Sequence, residues 1–234
     1  MNAEFHAAFV NKYIGGGVLF GGCAQEEMLF AFRTECLVSM LLCPIIEQAE
    51  AIIISGVERF SAHRGYAQTF EYVGPYADDT SIFQPTMSKA INIVAVDALV
   101  ASVNHIQYSK ENIQRELNKL YCGLYNWRKF SNAQRQTYAT GHWGCGIFGG
   151  NKQLKAIEQI IVVSQVGGLD INYYTWGRPN FASALVSLVQ FLHKTNTTVG
   201  EVTKILFSYM DKLDEGRTPF EFLYEQIRKK KGIH

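Results

Sequence analysis

"INIVAVDAL", Ile91 to Leu99, is β-branched and nearly continuous in apolarity. A strand with one wet face would alternate apolar and polar residues, so this run predicts a strand buried in a sheet that is covered on both faces. "EAIIISGVE" (Glu50 to Glu58) predicts a second strand of the same kind, and "INYYTWG" (Ile171 to Gly177) a third. Helical spacing fills much of the rest. From Gln25 to Cys43, Met28, Leu29, Phe32, Cys36, Leu37, Met40 and Leu41 recur at helical intervals until Pro44 stops the run. Lys110 to Leu124 predicts a polar amphipathic helix with Ile113, Leu117, Leu120 and Tyr121 on its inner side. Further helices are predicted at about Lys152 to Ser164, Ala182 to His193, Val199 to Lys212 and Phe220 to Lys230, with Thr198 and Glu201 as a capping box. Phe60 to Met87, rich in Gly, Pro, Asp, Ser and Tyr, predicts a long surface connection with an edge strand at Thr69 to Tyr72. Strands alternating with helices over 234 residues argue a single α/β layered domain.

The formal net charge is +1, so no global field draws in nucleic acid or an anionic membrane, and an anionic ligand must be held locally. The longest apolar stretches, Ala51 to Ile54 and Ala182 to Leu192, fall well short of the roughly 20 residues of a membrane span, and a soluble protein is expected. The N-terminal "MNAEFHAAFVNKY" lacks a basic and an apolar signal region. Five cysteines, odd in number and without C-x-x-C spacing, favour free thiols in a reducing compartment and argue against a structural zinc site. The six histidines share no ligand spacing, so neither metal nor cofactor is expected.

Two glycine-dense turns carry the chemistry. "IGGGVLFGGCAQEEMLF" (Ile14 to Phe30) puts five glycines in nine positions and then sets Glu26 and Glu27 at a helix start. "TGHWGCGIFGGNKQLKAIEQIIVV" repeats the glycine-loop-to-helix pattern. Such turns suit phosphate, because backbone N–H groups approach closely and the helix end favours negative charge; they serve equally as tight turns. Neither matches a Walker A or dinucleotide fingerprint, which argues against a nucleotide triphosphatase. Side chains of adjacent residues at a helix start diverge by about 100°, so one carboxylate can face a scissile bond while the other grips a sugar hydroxyl. The same pair also complements a helix dipole with no further role. Tyr66, Phe148 and Trp176 lie beside loops, where aromatics either stack on a base or join the core. The terminal "RKKKG" (Arg228 to Gly232) suits an anionic partner or nuclear entry, but reads first as a solvated helix end.

Gly15 to Gly17 followed by Gln25-Glu26-Glu27 resembles the signature of the poly(ADP-ribose) glycohydrolase family, as do "ISGVERFSAHRGYAQTF", "IVAVDAL", "RELNKLYCGL" and "ATGHWGCGIFGGNKQLKAIEQI", in family order. The similarity runs from about Phe9 to Met210. It implies a macrodomain-like mixed sheet flanked by helices, and hydrolysis of the ribose-to-ribose O-glycosidic bonds of poly(ADP-ribose) with release of ADP-ribose. By that resemblance Glu27 is the general acid and then base, and Glu26 orients the ribose. Asn11, Gly15, Gly16, Gly17 and Gln25 contact the ligand, and Tyr66 stacks on adenine. Gly144 and Cys145, with Gly146, Ile147, Phe148 and Gly149, form the loop around the diphosphate, His142 and Trp143 are further substrate-binding positions, and Trp176 lines the ligand with Phe148. The implied partners are poly(ADP-ribose) or poly(ADP-ribosyl)ated proteins, with no direct nucleic acid and no membrane. Nucleus and cytoplasm are both open as locations.

The family pattern has an acidic residue where this chain has Ala8, Asn where it has His142, and Asp where it has Asn151. It also carries an upstream helical accessory region and a strand with an adenine-contacting acid, neither of which is expected within residues 1–234. A second reading follows: a catalytically impaired module that binds ADP-ribose or poly(ADP-ribose), its turnover blunted at Ala8.

Overall fold

The computed structural model describes residues 3–83, 87–101, 105–130 and 133–233. In chain order the elements are strand β1 (Phe5–Val10), helices α1 (Gln25–Phe32) and α2 (Ser39–Leu42), strands β2 (Ile52–Ser55), β3 (Ser61–Arg64), β4 (Glu71–Pro75), β5 (Ile82–Phe83), β6 (Ser88–Lys89) and β7 (Asn92–Asp97), then α3 (Lys110–Leu124), β8 (Gln136–Thr140), α4 (Lys152–Val166), β9 (Leu169–Tyr173), α5 (Pro179–Lys194), α6 (Val199–Phe207) and α7 (Pro219–Lys231). They fall into two compact units. The first comprises the described residues of Met1–Ala98, Lys119–Thr140 and Gly168–Asn172; the second comprises those of Leu99–Asn118, Gly141–Gly167 and Tyr173–His234.

The first unit is built on a five-stranded sheet in the order β2-β7-β1-β8-β9. β1 runs parallel to β7 over its whole length, from Phe5 opposite Asn92 to Val10 opposite Asp97. It pairs in parallel with β8 only at Phe5–Tyr138 and His6–Ala139. β2 is antiparallel to β7, so the sheet is mixed. On one face Ala8, Val10, Ile93 and Ala95 pack with Leu29 and Phe30 of α1 and with Cys36 and Ile46 in an apolar cluster. The opposite face presents Val94 and Val96 to α3, where Gly123 lies so close that a Cβ would stand 2.8 Å from Val94 Cγ1. Helices therefore cover both faces of β7, and every residue of that strand is buried.

In the second unit α4 packs with α6 and α7. Leu154, Ile157, Leu188, Leu206, Phe222 and Leu223 are buried there. Thr198 and Thr218 cap α6 and α7, each accepting from the N–H of a glutamate three residues on, while that carboxylate accepts from the threonine N–H.

Several expectations need correction. β2 and β9 are half-buried sheet edges rather than strands covered on both faces, because each has one strand neighbour. The helix expected over Gln25 to Cys43 leaves the α conformation at Arg33 (φ −121°, ψ 68°) and continues as a 3-10 turn, Thr34–Val38, before α2. The Arg33 guanidinium is buried there, donating to Val57 O at 2.9 Å and lying 3.5 Å from Asp78. Tyr121, assigned to the inner side of α3, is exposed and stacks on Tyr125. The connection Phe60 to Met87 holds a hairpin, β3 with β4, and the strand β5, which pairs with β6 just beyond it; its residues 84–86 lie outside the described residues.

Candidate active site

In the first unit the glycine turn and the acid pair are one hydrogen-bonded body. α1 starts at Gln25, so Gln25, Glu26 and Glu27 fan out from its first turn. Glu26 is 3% exposed. Its Oε1 accepts from Gly15 N–H at 2.6 Å and its Oε2 from Asn11 N–H at 2.8 Å. Burial pushes the Glu26 carboxyl up to about 7, with the two backbone donors opposing the rise and the charge of Glu27 adding to it. Glu27 is half-buried; its Oε1 accepts from Gly17 N–H and its Oε2 from Ala24 N–H, both at 3.0 Å.

Gly16 lies over both acids. Its φ is +49°, and a Cβ would stand 2.5 Å from Glu27 Oε1 and 2.9 Å from Glu26 Oε2. Gly22 closes the turn, donating to Gly17 O at 2.8 Å, and a Cβ on it would meet Glu27 Cγ at 2.8 Å. These are places where only hydrogen fits.

Gln25 is turned to the sheet. Its Oε1 accepts from Phe9 N–H at 2.8 Å and its Nε2 donates to Ala7 O at 3.0 Å, beyond the point where β8 stops pairing with β1. Asn11 Oδ1 accepts from Tyr13 N–H, which fixes the turn leaving β1. Tyr66 begins the 3-10 turn Ala67–Thr69 with its ring half-exposed; burial, the Cys23 thiol and the Glu27 charge raise its hydroxyl pKa. Ala8 is wholly buried in the apolar cluster under α1. A carboxylate there would need a partner that these neighbours do not supply.

In the second unit His142 to Gly150 forms a closed loop: Gly150 N–H donates to Gly144 O at 2.8 Å, and Cys145 N–H to His142 O at 3.0 Å. Gly144 and Gly149 take φ of +68° and +71°. Gly146 and Ile147 form an exposed tip, and Phe148 O accepts from Ala101 N–H at 2.8 Å. Trp143 is buried beneath the loop, and burial pushes the Cys145 thiol up to about 12. His142 is held by Tyr173 Oη at 3.2 Å and Thr175 O at 3.3 Å, with burial lowering its pKa. Trp176, exposed and with a positive φ, lies beside Gly141. Asn151 caps α4, accepting from Gln153 and Leu154 N–H.

Below this loop lies a group that the sequence reading did not single out. Lys155 and Glu158, on one side of α4, meet Glu116 of α3, and all three are buried. The signal was a Lys-x-x-Glu pair inside the otherwise apolar run "LKAIEQIIVV". Burial lowers the Lys155 pKa, but Glu158 and Glu116 more than offset this and raise it; burial raises that of Glu158 against the pull of Lys155. Among the described residues no three His, Cys, Asp or Glu side chains converge as a metal site, and no helix is long and apolar enough to cross a membrane.

The fold resembles a macrodomain of Oceanobacillus iheyensis, with a TM-score of 0.50 and 13% identity over 83% of this chain and 87% of that one. That likeness defines the class: a macrodomain-like, single-domain α/β fold with a mixed sheet flanked by helices. The family follows from sequence. Residues 2–183 match the family model described as "Poly (ADP-ribose) glycohydrolase (PARG), Macro domain fold", and the chain belongs to that family. It is 30% identical to poly(ADP-ribose) glycohydrolase 1 of Arabidopsis thaliana over 86% of its own length and 48% of that protein's. Poly(ADP-ribose) glycohydrolase 1 of Caenorhabditis elegans is 32% identical over 92% of this chain and 28% of its own length. The chain thus spans less than half of these curated relatives.

Proposed function

We propose that this protein hydrolyses the ribose-to-ribose O-glycosidic bond of poly(ADP-ribose) and releases ADP-ribose. The observation that carries the reading is the acid pair: Glu26 is buried and bound to the backbone, whereas Glu27 is the more accessible carboxyl and lies directly under Gly16 and Gly17. As general acid, Glu27 gives its proton to the departing ribose 2'-oxygen as the C–O bond breaks. Its carboxylate then takes a proton from the water whose oxygen bonds the anomeric carbon, and the acid is restored. Glu26 acts through the loop: by holding Asn11 and Gly15 it sets the shape against which the ribose is oriented. By the family resemblance, Gly144 to Gly149 take the diphosphate on backbone N–H groups, and Tyr66 stacks on adenine.

The alternative, an ADP-ribose-binding module without turnover, is favoured by Ala8. One experiment separates the two: release of ADP-ribose from purified polymer, with ADP-ribose binding followed by calorimetry on the same samples. Glu27→Gln is expected to lower release by at least ~100-fold while the dissociation constant stays within about threefold, since it removes a proton donor and preserves shape. Undiminished release would remove Glu27 from the role. Binding without release in the wild type would select the module.

A further inference from the structure

The Glu116–Lys155–Glu158 group has no part in the chemistry above, yet it is deeply buried: the side chains of Lys155, Glu116 and Glu158 are exposed by 1%, 1% and 0%. Lys155 Nζ donates to Glu116 Oε2 and, at 2.9 Å, to Glu158 Oε2. Glu116 also accepts from Arg115 and from Leu99 N–H. Among the described residues Glu158 Oε1 is buried without a hydrogen-bond partner. Replacing a buried ion group by well-packed apolar residues often leaves stability equal or higher, so such a group is poorly explained as a stabiliser.

The surroundings of Lys155 supply a different account. Its ammonium lies 4.9 Å from the centroid of the buried Trp143 ring, near the start of the loop. Its Cε stands 3.4 Å from where a Cβ on Gly150 would be, at the end of the loop, where Gly150 closes on Gly144 O. One turn on, Gln159 Nε2 donates to Gly141 O at 3.1 Å. A single turn of α4 thus grips the loop at residues 141, 143 and 150.

We infer that Lys155 is a positioning residue for ligand binding: clamped between Glu116 and Glu158, it fixes Trp143 and Gly150, and so holds the intervening backbone N–H groups in the shape that receives a diphosphate. The inference rests on the reading of this loop as the diphosphate cradle. Pre-organising a loop strengthens binding by removing the ordering cost that a mobile loop meets on contact with ligand.

The test is the double variant Lys155→Met/Glu158→Leu, which removes the ammonium together with the carboxylate it pairs with and leaves Glu116 satisfied by Arg115 and Leu99 N–H. Its melting midpoint is expected to equal or exceed that of the wild type, while the ADP-ribose dissociation constant rises about tenfold or more. With polymer as substrate, the rise in KM is expected to exceed any fall in kcat. A dissociation constant within about twofold of wild type, or one that weakens only in step with a fallen midpoint, overturns the inference. If the double variant does not fold, Trp143→Leu removes the ring beneath the cation and leaves the triad paired, and the same readouts and thresholds apply. If the wild type binds no ADP-ribose, the functional reading fails. Amide exchange of Gly144 to Gly149 then decides the positioning role alone: faster exchange in the variant upholds it, unchanged exchange removes it.

Discussion

At Gly16 the absence of a side chain is a requirement. A methyl group there would stand 2.5 Å from Glu27 Oε1, on a backbone with φ +49°. Gly16→Ala is therefore expected to lower kcat by roughly 10- to 100-fold by displacing the acid, with the protein still folded. Gly21→Ala is the comparison: φ is +80°, but none of the described residues lies within 4 Å of a Cβ there, so its effect is confined to about 1 kcal/mol of backbone strain read from the denaturation midpoint. Equal kinetic losses in the two would trace the effect to backbone strain and not to the carboxylate. The sequence announced the acid pair and its place at a helix start. It did not tell which acid is buried, because that depends on where β1 delivers Asn11 and Gly15, and "FHAAFV", with a histidine and two alanines, carries too little apolar contrast to be read as a central strand.

Among the elements, α3 was legible to the residue, since a long amphipathic pattern with a polar outer face depends little on its partners. The run after Gln25 was not, because its periodicity continues through the point where Arg33 leaves the helix. There the guanidinium is 7% exposed and its partner Asp78 is 2% exposed, and Asp78 also accepts from Arg59 N–H at 2.7 Å and from Thr80. These bonds tie the later part of the 60–83 segment, which carries Tyr66, both to Arg59 just before it and to the end of α1. The Asp78 pKa falls to about 2; burial works against that fall, and Thr80, Arg59 N–H and Arg33 outweigh it. Arg33→Met is expected to lower stability by about 3 kcal/mol in urea unfolding, the order for breaking a buried pair by removing one partner. Adding Asp78→Asn should return part of that loss. A purely additive double variant would show that the two side chains do not support each other.

For the whole molecule, a buried group and a half-buried one in the first unit titrate in opposition. Glu26 sits at about 7 in the fold against an ordinary 4.5, so the native state keeps a proton that the unfolded chain gives up, and stability falls as pH rises through that window. His6, hydrogen-bonded to Ala3 O, is lowered by burial from 6.5 to about 4, so its contribution is lost as pH falls through the overlapping window. The wild-type unfolding free energy should therefore change little between about pH 4.5 and 6.5. Glu26→Gln should uncover a curve that rises with pH by on the order of 2–3 kcal/mol, and His6→Gln one that falls by a similar amount, both read by denaturant titration across pH. Parallel curves for wild type and both variants would contradict the assignment. Composition and net charge could not foretell this balance, since both groups owe their shifts to where the fold buries them.

The Gln25 side chain imitates a peptide plane: its carbonyl takes Phe9 N–H and its amide gives to Ala7 O, as a passing strand would. One residue thus stands in for a missing length of β8, like a splint set into a parted seam. Next to the glycine turn, then, Phe9 N–H and Ala7 O are satisfied by a side chain that belongs to the acid pair's own helix turn, and the central strand and that turn are bonded to each other directly.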